Sequence, residues 1–296
     1  MTTTWVRFKQ GDDVKFGTLE GDTIAVYSGD MFNNPQATGE SVKLADVKLT
    51  TPCSPSKMIL LWNNFYSLAK KIAEKKGKEK PDIPQEPLWM LKPPTAFIAD
   101  GETVVKPNTY EGKVVYEGEL GIVIGKRCKE VSEAEAKDYI FGYTCSNDVT
   151  AGELLMKDPT FAQWTRAKGF DTFGSFGPGI VSGIDNPDSL IVKTILNGVE
   201  RQNYPVADMI FRPHKLVAML SNDMTLEPGD IISCGTSLGV GSMKPGSTVE
   251  VVIDGVGHLS NKFEAFTVAS NVSSSSESFT KYISYSSNND IASHSA

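Results

Sequence analysis

Histidine is scarce in this chain of 296 residues: only His214, His258 and His294 occur, too dispersed for a histidine-rich metal site. Cysteine is nearly as thin. Cys53, Cys128, Cys145 and Cys234 make no CxxC spacing and read as scattered buried thiols. Basic residues are in deficit, and a net charge of −7 argues against nucleic acid or an anionic membrane as partner. No apolar run approaches the roughly 20 residues of a membrane span. The opening "MTTTWVRFKQGDD" has no apolar signal segment either, so the expected setting is reduced and cytoplasmic. Local basic sites for a small anion stay open. What is present is ordinary globular material, 40% hydrophobic and 22% charged.

Short β pieces dominate the chain. "WVRF" and "DTIAVY" alternate around the turn "LEGD", "NNPQATGE" reads as a loop, and residues 1–57 form a small β-rich N-terminal appendage. The main domain covers 58–268. Within it "SKMILLWNN" is a buried-strand candidate, and "FYSLAKKIAEKKGKEK" has helical spacing through Phe65, Leu68, Ala69 and Ile72. "LWMLKPPTAFI" is a strand halted at Pro93-Pro94. Ser132 and Glu135 suit a capping box ahead of a short helix. "SLIVKTIL-NG-VERQN" is a hairpin turning on Asn197-Gly198, and "HKLVAMLSNDM" is a further helix, which makes His214 a helix-start residue. His258 belongs to a late strand or turn. Many strands, few helices and 26 glycines imply a β-dominated, barrel-like core. Residues 269–296 form a polar, serine-rich tail.

The chemistry begins at "VVYEGELGIVIGK". Side chains alternate along a strand, so Glu117 and Glu119 share a face with Val115, Gly121 and Val123. Like charges so placed repel unless water screens them or a cation sits between them. Asp148 ends the apolar strand "YIFGYTCS" and, alone, would read as a turn or helix cap. Lys168 and Arg166 lie in the aromatic-rich "QWTRAKGFDTFGSFGP". In "CGTSLGVGSMKPG", Gly235, Gly239 and Gly241 let backbone N–H groups approach a ligand, and Thr236 adds a hydroxyl. That turn lacks the GKS/T ending of a phosphate loop, which removes the P-loop reading.

The order ExE, NDVTA, AKGFDTF, hairpin NG and LEPGDII-GT-GVG resembles the fumarylacetoacetate hydrolase family over roughly residues 58–268. The resemblance implies a β-dominated α+β fold with a mixed β-roll core. It also implies a Mg²⁺ or Mn²⁺ held by Glu117, Glu119 and Asp148, Lys168 as active-site cation, and Thr236, with Gly235 and Arg166, for substrate. A homodimer is implied too. Three carboxylates leave about half of an octahedral shell for water and a bidentate 2-oxo acid.

The departures are equally informative. The family's G-R-N-Y-x-x-H-x-x-E is matched by "WNNFYSLAKK", with Leu68 and Lys71 replacing the water-activating His/Glu pair. "TAGELL" puts Gly152 and Leu155 where "TARDxQ" carries Arg and Gln. Leucine accepts no proton, so the familiar base is absent. Tyr66, Lys70 and Glu153 are the replacement candidates. The leading expectation is an isomerase, tautomerase or decarboxylase acting on a 2-oxo acid or its enol through a metal-stabilised enolate, with Lys168 supplying charge or, if burial lowers its pKa, a proton. Hydrolysis of an acylpyruvate-type C–C bond comes second, and lyase or dehydratase chemistry is a variant. A non-catalytic metal-binding or ligand-binding member is the alternative of a different class.

Overall fold

Four alternating segments open the chain as an antiparallel meander: β1 (Thr3–Gln10), β2 (Asp13–Glu20), β3 (Thr23–Asp30) and β4 (Asn33–Lys43). The computed structural model describes residues 1–266, so the serine-rich stretch 269–296 lies outside the described residues. Gly11 and Gly21 sit at φ +64° and +59° in the first two turns, a region closed to most side chains. The "NNPQATGE" stretch, expected as a loop, is strand instead. β4 is the outermost strand of its sheet and largely exposed, so no apolar alternation marks it and Pro35 is tolerated. Val6, Phe8, Ile24 and Val26 form a small core under this meander. The meander is also continuous with the main sheet, because β1 pairs with β14 (Gly174–Ser182) through Thr3–Ser182 and Trp5–Ile180. A two-residue strand, β5 (Lys48–Leu49), closes on β1.

The main sheet is completed by β6 (Met58–Trp62), β7 (Leu88–Lys92), β8 (Phe97–Ile98), β11 (Gly118–Ile124), β12 (Ile140–Asp148) and β17 (Ile231–Ser233). Its order is β4-β3-β2-β1-β14-β12-β11-β17-β6-β7, and β17–β6 and β14–β8 are parallel while the other ladders are antiparallel. A five-stranded sheet comprises β9 (Thr103–Lys106), β15 (Ile191–Leu196), β16 (Val199–Pro205), β19 (Ser247–Ile253) and β20 (Gly257–Ala265). A small third sheet joins β10 (Val114–Tyr116), β13 (Thr150–Ala151) and β18 (Gly241–Ser242). This is the β-dominated, mixed-sheet architecture expected.

Three helices fall where the sequence put them, α1 (Tyr66–Lys75), α2 (Glu133–Ala136) and α4 (Pro213–Asp223), whereas α3 (Trp164–Lys168) is a short helix in the aromatic-rich segment, where none was expected. The Ser132/Glu135 capping box forms at α2, and His214 stands in the first turn of α4. Asn197 and Gly198 both take positive φ in the β15–β16 turn, as a tight two-residue hairpin requires. His258 lies on β20, where its ring meets Glu250 at 2.6 Å. Every residue of β11 is buried, which explains the apolar run from Leu120 to Ile124. Leu120, Ile122 and Ile124 enter the largest core cluster while Val123 enters another. Glu119 therefore sits in a strand covered on both faces. Among the described residues no helix is long and apolar enough to cross a membrane.

Candidate metal centre

Glu117 occupies the break between β10 and β11, and Glu119 is the second residue of β11. Only glycine fits between them, since a Cβ on Gly118 would fall 2.0 Å from Thr194 Oγ1. The Gly118 peptide is then pinned from both sides. Its N–H donates to Gln202 Oε1 at 3.1 Å, and its carbonyl accepts from Thr236 Oγ1 at 3.0 Å and from the Tyr204 hydroxyl. Asn147 Oδ1 accepts from Glu117 N at 3.0 Å and ties this bend to β12, which ends at Asp148. Carboxylate oxygens of Glu117, Glu119 and Asp148 all lie within 4.8 Å of one another.

Two lysines meet this cluster. Lys168, the last residue of α3, donates to Glu117 Oε2 at 3.0 Å, to Thr150 Oγ1 at 2.8 Å and to Asp148 Oδ2. Lys92, fully buried at the end of β7, donates to the carbonyls of Val149 (3.2 Å), Phe173 (2.8 Å) and Lys168. Its ammonium also stands 3.0 Å from Asp148 Oδ1, a charge contact whose geometry is not that of a hydrogen bond. Glu119 Oε2 accepts from Ser233 Oγ at 2.6 Å and Gly235 N at 2.9 Å, whereas Glu119 Oε1 has no partner among the described residues.

Burial pushes the carboxyls of Glu117 and Glu119 above the usual range, Glu119 strongly, with the neighbouring carboxylates adding to the shift at Glu119. Lys168 goes the other way. Burial opposes its ammonium, but Asp148, Glu117 and Glu119 outweigh that and hold its pKa above the ordinary lysine value. The condition attached to a proton relay at Lys168, a pKa lowered by burial, is not met here, because its three acidic neighbours raise it instead. Burial lowers the pKa of Lys92, against the pull of Asp148.

A divalent cation fits this arrangement. Among the described residues, Oε1 of Glu119 and Oδ1 of Asp148 are buried without a hydrogen-bond donor, and buried anionic oxygens are rarely left so. Three carboxylate donors suit a hard ion that prefers oxygen.

The other sequence candidates fall elsewhere. Thr236 is beside the cluster, but its hydroxyl already donates to Gly118 O and accepts from Gln202 Nε2 at 2.8 Å. Gly235, at φ +88°, uses its N–H on Glu119. Arg166 is exposed on α3 and lines a surface groove with Trp62, Leu88, Trp89 and Phe161. Tyr66, in the first turn of α1, is 49% exposed, and Lys70 is exposed too. Glu153 is exposed and accepts from Lys113 N at 3.2 Å in a separate depression with Lys106 and Lys244, so it does not turn inward to the cluster. Leu68 packs against the largest core cluster. The sequence reading missed Lys92, Ser233, Gln202 and Tyr204. A lysine within the apolar "LWMLKPP" was the one available signal.

Comparison with known proteins agrees with this architecture. Residues 57–264 match the fumarylacetoacetate (FAA) hydrolase C-terminal family, and residues 4–52 match the family described as Rv2993c-like, N-terminal. The chain belongs to the fumarylacetoacetate hydrolase family. It is 38% identical over 229 residues to oxaloacetate tautomerase YisK of Bacillus subtilis, covering 74% of each chain. The 2-hydroxyhepta-2,4-diene-1,7-dioate isomerase structure from Mycobacterium marinum is 36% identical with a TM-score of 0.79, over 89% of this chain and 98% of that one. Maleylpyruvate hydrolase from Sphingobium sp. SYK-6, solved with manganese(II) and pyruvate, is 27% identical with a TM-score of 0.71, over 89% of this chain and all of that one.

Proposed function

We propose that this protein is a Mg²⁺- or Mn²⁺-dependent enzyme that acts on a 2-oxo acid or its enol, with isomerisation or tautomerisation first and decarboxylation next. The observation that carries the reading is the buried three-carboxylate cluster, with Glu119 Oε1 unpartnered among the described residues and Asp148 Oδ1 met only by the Lys92 charge, set against charged Lys168. Glu117, Glu119 and Asp148 would hold the ion, which when bound supplies Lewis-acid polarisation of the substrate's oxygens. Lys168 adds a fixed positive charge where negative charge develops as a proton or carboxylate leaves. The Gly118 clamp from Gln202, Tyr204 and Thr236 keeps both glutamates in register, and the dry interior strengthens each of these interactions. No His/Glu pair stands on α1 to activate water, which ranks proton transfer above C–C hydrolysis. The tautomerase and isomerase named above support that ranking. Hydrolysis of an acylpyruvate keeps second place on the strength of the maleylpyruvate hydrolase likeness.

The test is a melting curve of metal-stripped protein with Mg²⁺ or Mn²⁺, each with and without oxalate. A ligand bound only by the folded form stabilises it by about 2.7 kcal/mol at a hundredfold excess over its dissociation constant. A metal shift enlarged by oxalate and abolished in Glu119→Ala is the expected result, followed by turnover of oxaloacetate tautomers. No shift with either metal removes the catalytic reading.

Self-association as a homodimer belongs to the same proposal. Its support is the exposed apolar Leu88, Trp89 and Leu91 on edge strand β7, beside Phe161. Sedimentation of the wild type and Trp89→Lys, expected to be dimer and monomer, tests it.

A further inference from the structure

The sheet face that holds Glu119 continues sideways to a tryptophan. β11 and β17 are antiparallel with Gly121 opposite Ser233, and β17 runs parallel to β6 with Ser233 beside Leu60. Side chains two apart share a face, so Glu119 and Val123 of β11, Ile231 and Ser233 of β17, and Leu60 and Trp62 of β6 stand on one side. Packing agrees with the register. Ser233 Oγ donates to Glu119 at 2.6 Å, while Val123, Ile231 and Leu60 belong to one core cluster against which Trp62 and Trp164 pack. β7 pairs with β6, Leu60 opposite Met90 and Trp62 opposite Leu88, which adds Met90 and Leu88 to the same side.

Trp62 is level with Glu119 and two strand spacings away, about 10 Å. Between them the chain passes through Gly235, whose N–H donates to Glu119 and which puts no side chain in the way. α3 links the same two places. Its first residue, Trp164, packs on Trp62 with ring centroids 5.1 Å apart, and its last, Lys168, donates to Glu117 Oε2 at 3.0 Å. The tryptophan pair lines an open groove of about 1030 Å³ with Leu88, Met90 and Phe161. That is ample for a small molecule, and its apolar walls, with Leu88 and Phe161 exposed, suit a ligand with an apolar portion. Trp89 and Leu91 alternate to the other side of β7, where Trp89 Nε1 donates to Asp223 at the end of α4, so self-association can use them without filling the groove.

We propose that this groove receives an aromatic ring of the substrate, which makes the substrate an aryl-bearing 2-oxo acid whose chelating end lies at the carboxylates; this rests on the function proposed above. Two tilted indole rings, 48° apart, offer a flat ring both a face and an edge, which a flexible polar tail does not exploit.

Calorimetry on the full chain loaded with Mn²⁺ tests this with three probes: oxalate, pyruvate and phenylpyruvate, the last differing from pyruvate by the ring alone. Phenylpyruvate should bind wild type about tenfold more tightly than pyruvate, from burial of the ring. Trp62→Ala should remove most of that advantage and leave oxalate binding unchanged. Leu88→Glu should do the same, and its half-exposed edge position keeps folding out of the question. Phenylpyruvate bound no better than pyruvate by wild type overturns the inference; a second copy of the chain seated over the groove would give that result. So does an advantage that survives Leu88→Glu, or equal weakening of oxalate and phenylpyruvate in that variant, because the groove then holds no ring. A wild-type protein that binds none of the three probes overturns the 2-oxo acid reading itself, and this inference with it.

Discussion

Two buried aspartates, Asp230 and Asp148, are each paired with lysine, yet only one is at rest. Asp230, just ahead of β17, is fully buried and its oxygens are all used. Ser56 Oγ donates at 2.6 Å, Lys57 N at 3.2 Å and Glu227 N at 2.8 Å, with the Lys57 ammonium closing the set. Asp148 has two lysines and less satisfaction: among the described residues its Oδ1 lacks a hydrogen-bond donor, and Oε1 of neighbouring Glu119 lacks any partner. A carboxylate that only stitches elements together collects donors until none of its oxygens is free. One that keeps a lone pair buried and unmet is held for a ligand. Charge burial alone does not distinguish a site from a staple; the unmet oxygen does.

The sharpest break of this comparison is at the staple. Asp230→Ala leaves the Lys57 charge and two backbone N–H groups without their acceptor, and should cost about 3–5 kcal/mol in denaturant unfolding. The metal-induced melting shift should survive it. Lys168→Met does the converse. It should lower kcat on oxaloacetate by about 10²–10³-fold, the size expected for one electrostatic contact to developing charge. Circular dichroism should still report the folded sheet. Equal loss of folding in both variants would erase the distinction.

Titration separates the two regions next. The folded-state pKa of Glu119 is raised, so metal-free folded protein binds more protons than the unfolded chain. That contribution is fully present below the unfolded carboxyl value of 4.5 and is lost as pH rises through the raised one. Metal-free protein should therefore lose stability as pH climbs above about 4.5, while Mn²⁺, which displaces those protons, stabilises more at higher pH. Melting curves from pH 5 to 8, with and without Mn²⁺, should diverge. In Glu119→Gln the metal-free curve should flatten.

Much of this centre was legible in the chain because its parts sit in short, ordered motifs. Glu117, Glu119, Asp148 and Lys168 were found together and stand together, and the side chains of β11 divide between two core clusters, Leu120, Ile122 and Ile124 in one and Val123 in the other. What escaped depends on long-range partners. Lys92 looked like the polar end of a strand, and only the fold brings Val149, Lys168 and Phe173 carbonyls around its ammonium. Glu153 and Tyr66 were placed by helical or motif spacing, but which way each turns is set by neighbours such as Lys113 that no local pattern names. β4 was hidden because an exposed edge strand has no apolar period to read.

The finest cut compares two serines that do the same local job. Ser56 donates to Asp230 at 2.6 Å, and Ser233 donates to Glu119 at 2.6 Å. Each alanine variant removes one hydroxyl donor from a buried carboxylate. At Asp230 the loss falls on the fold, about 1.5–3 kcal/mol for a charged acceptor, with metal affinity unchanged. At Glu119 the Gly235 N–H remains and the carboxyl is already pushed toward its neutral form, so the stability loss should be smaller, about 1 kcal/mol. The larger consequence of Ser233→Ala should be about a tenfold weaker Mn²⁺ affinity, because the donor that orients Glu119 is gone. Isothermal titration of both variants measures it. If Ser56→Ala weakens Mn²⁺ as much as Ser233→Ala does, the two carboxylates are not the distinct devices their hydrogen bonding describes.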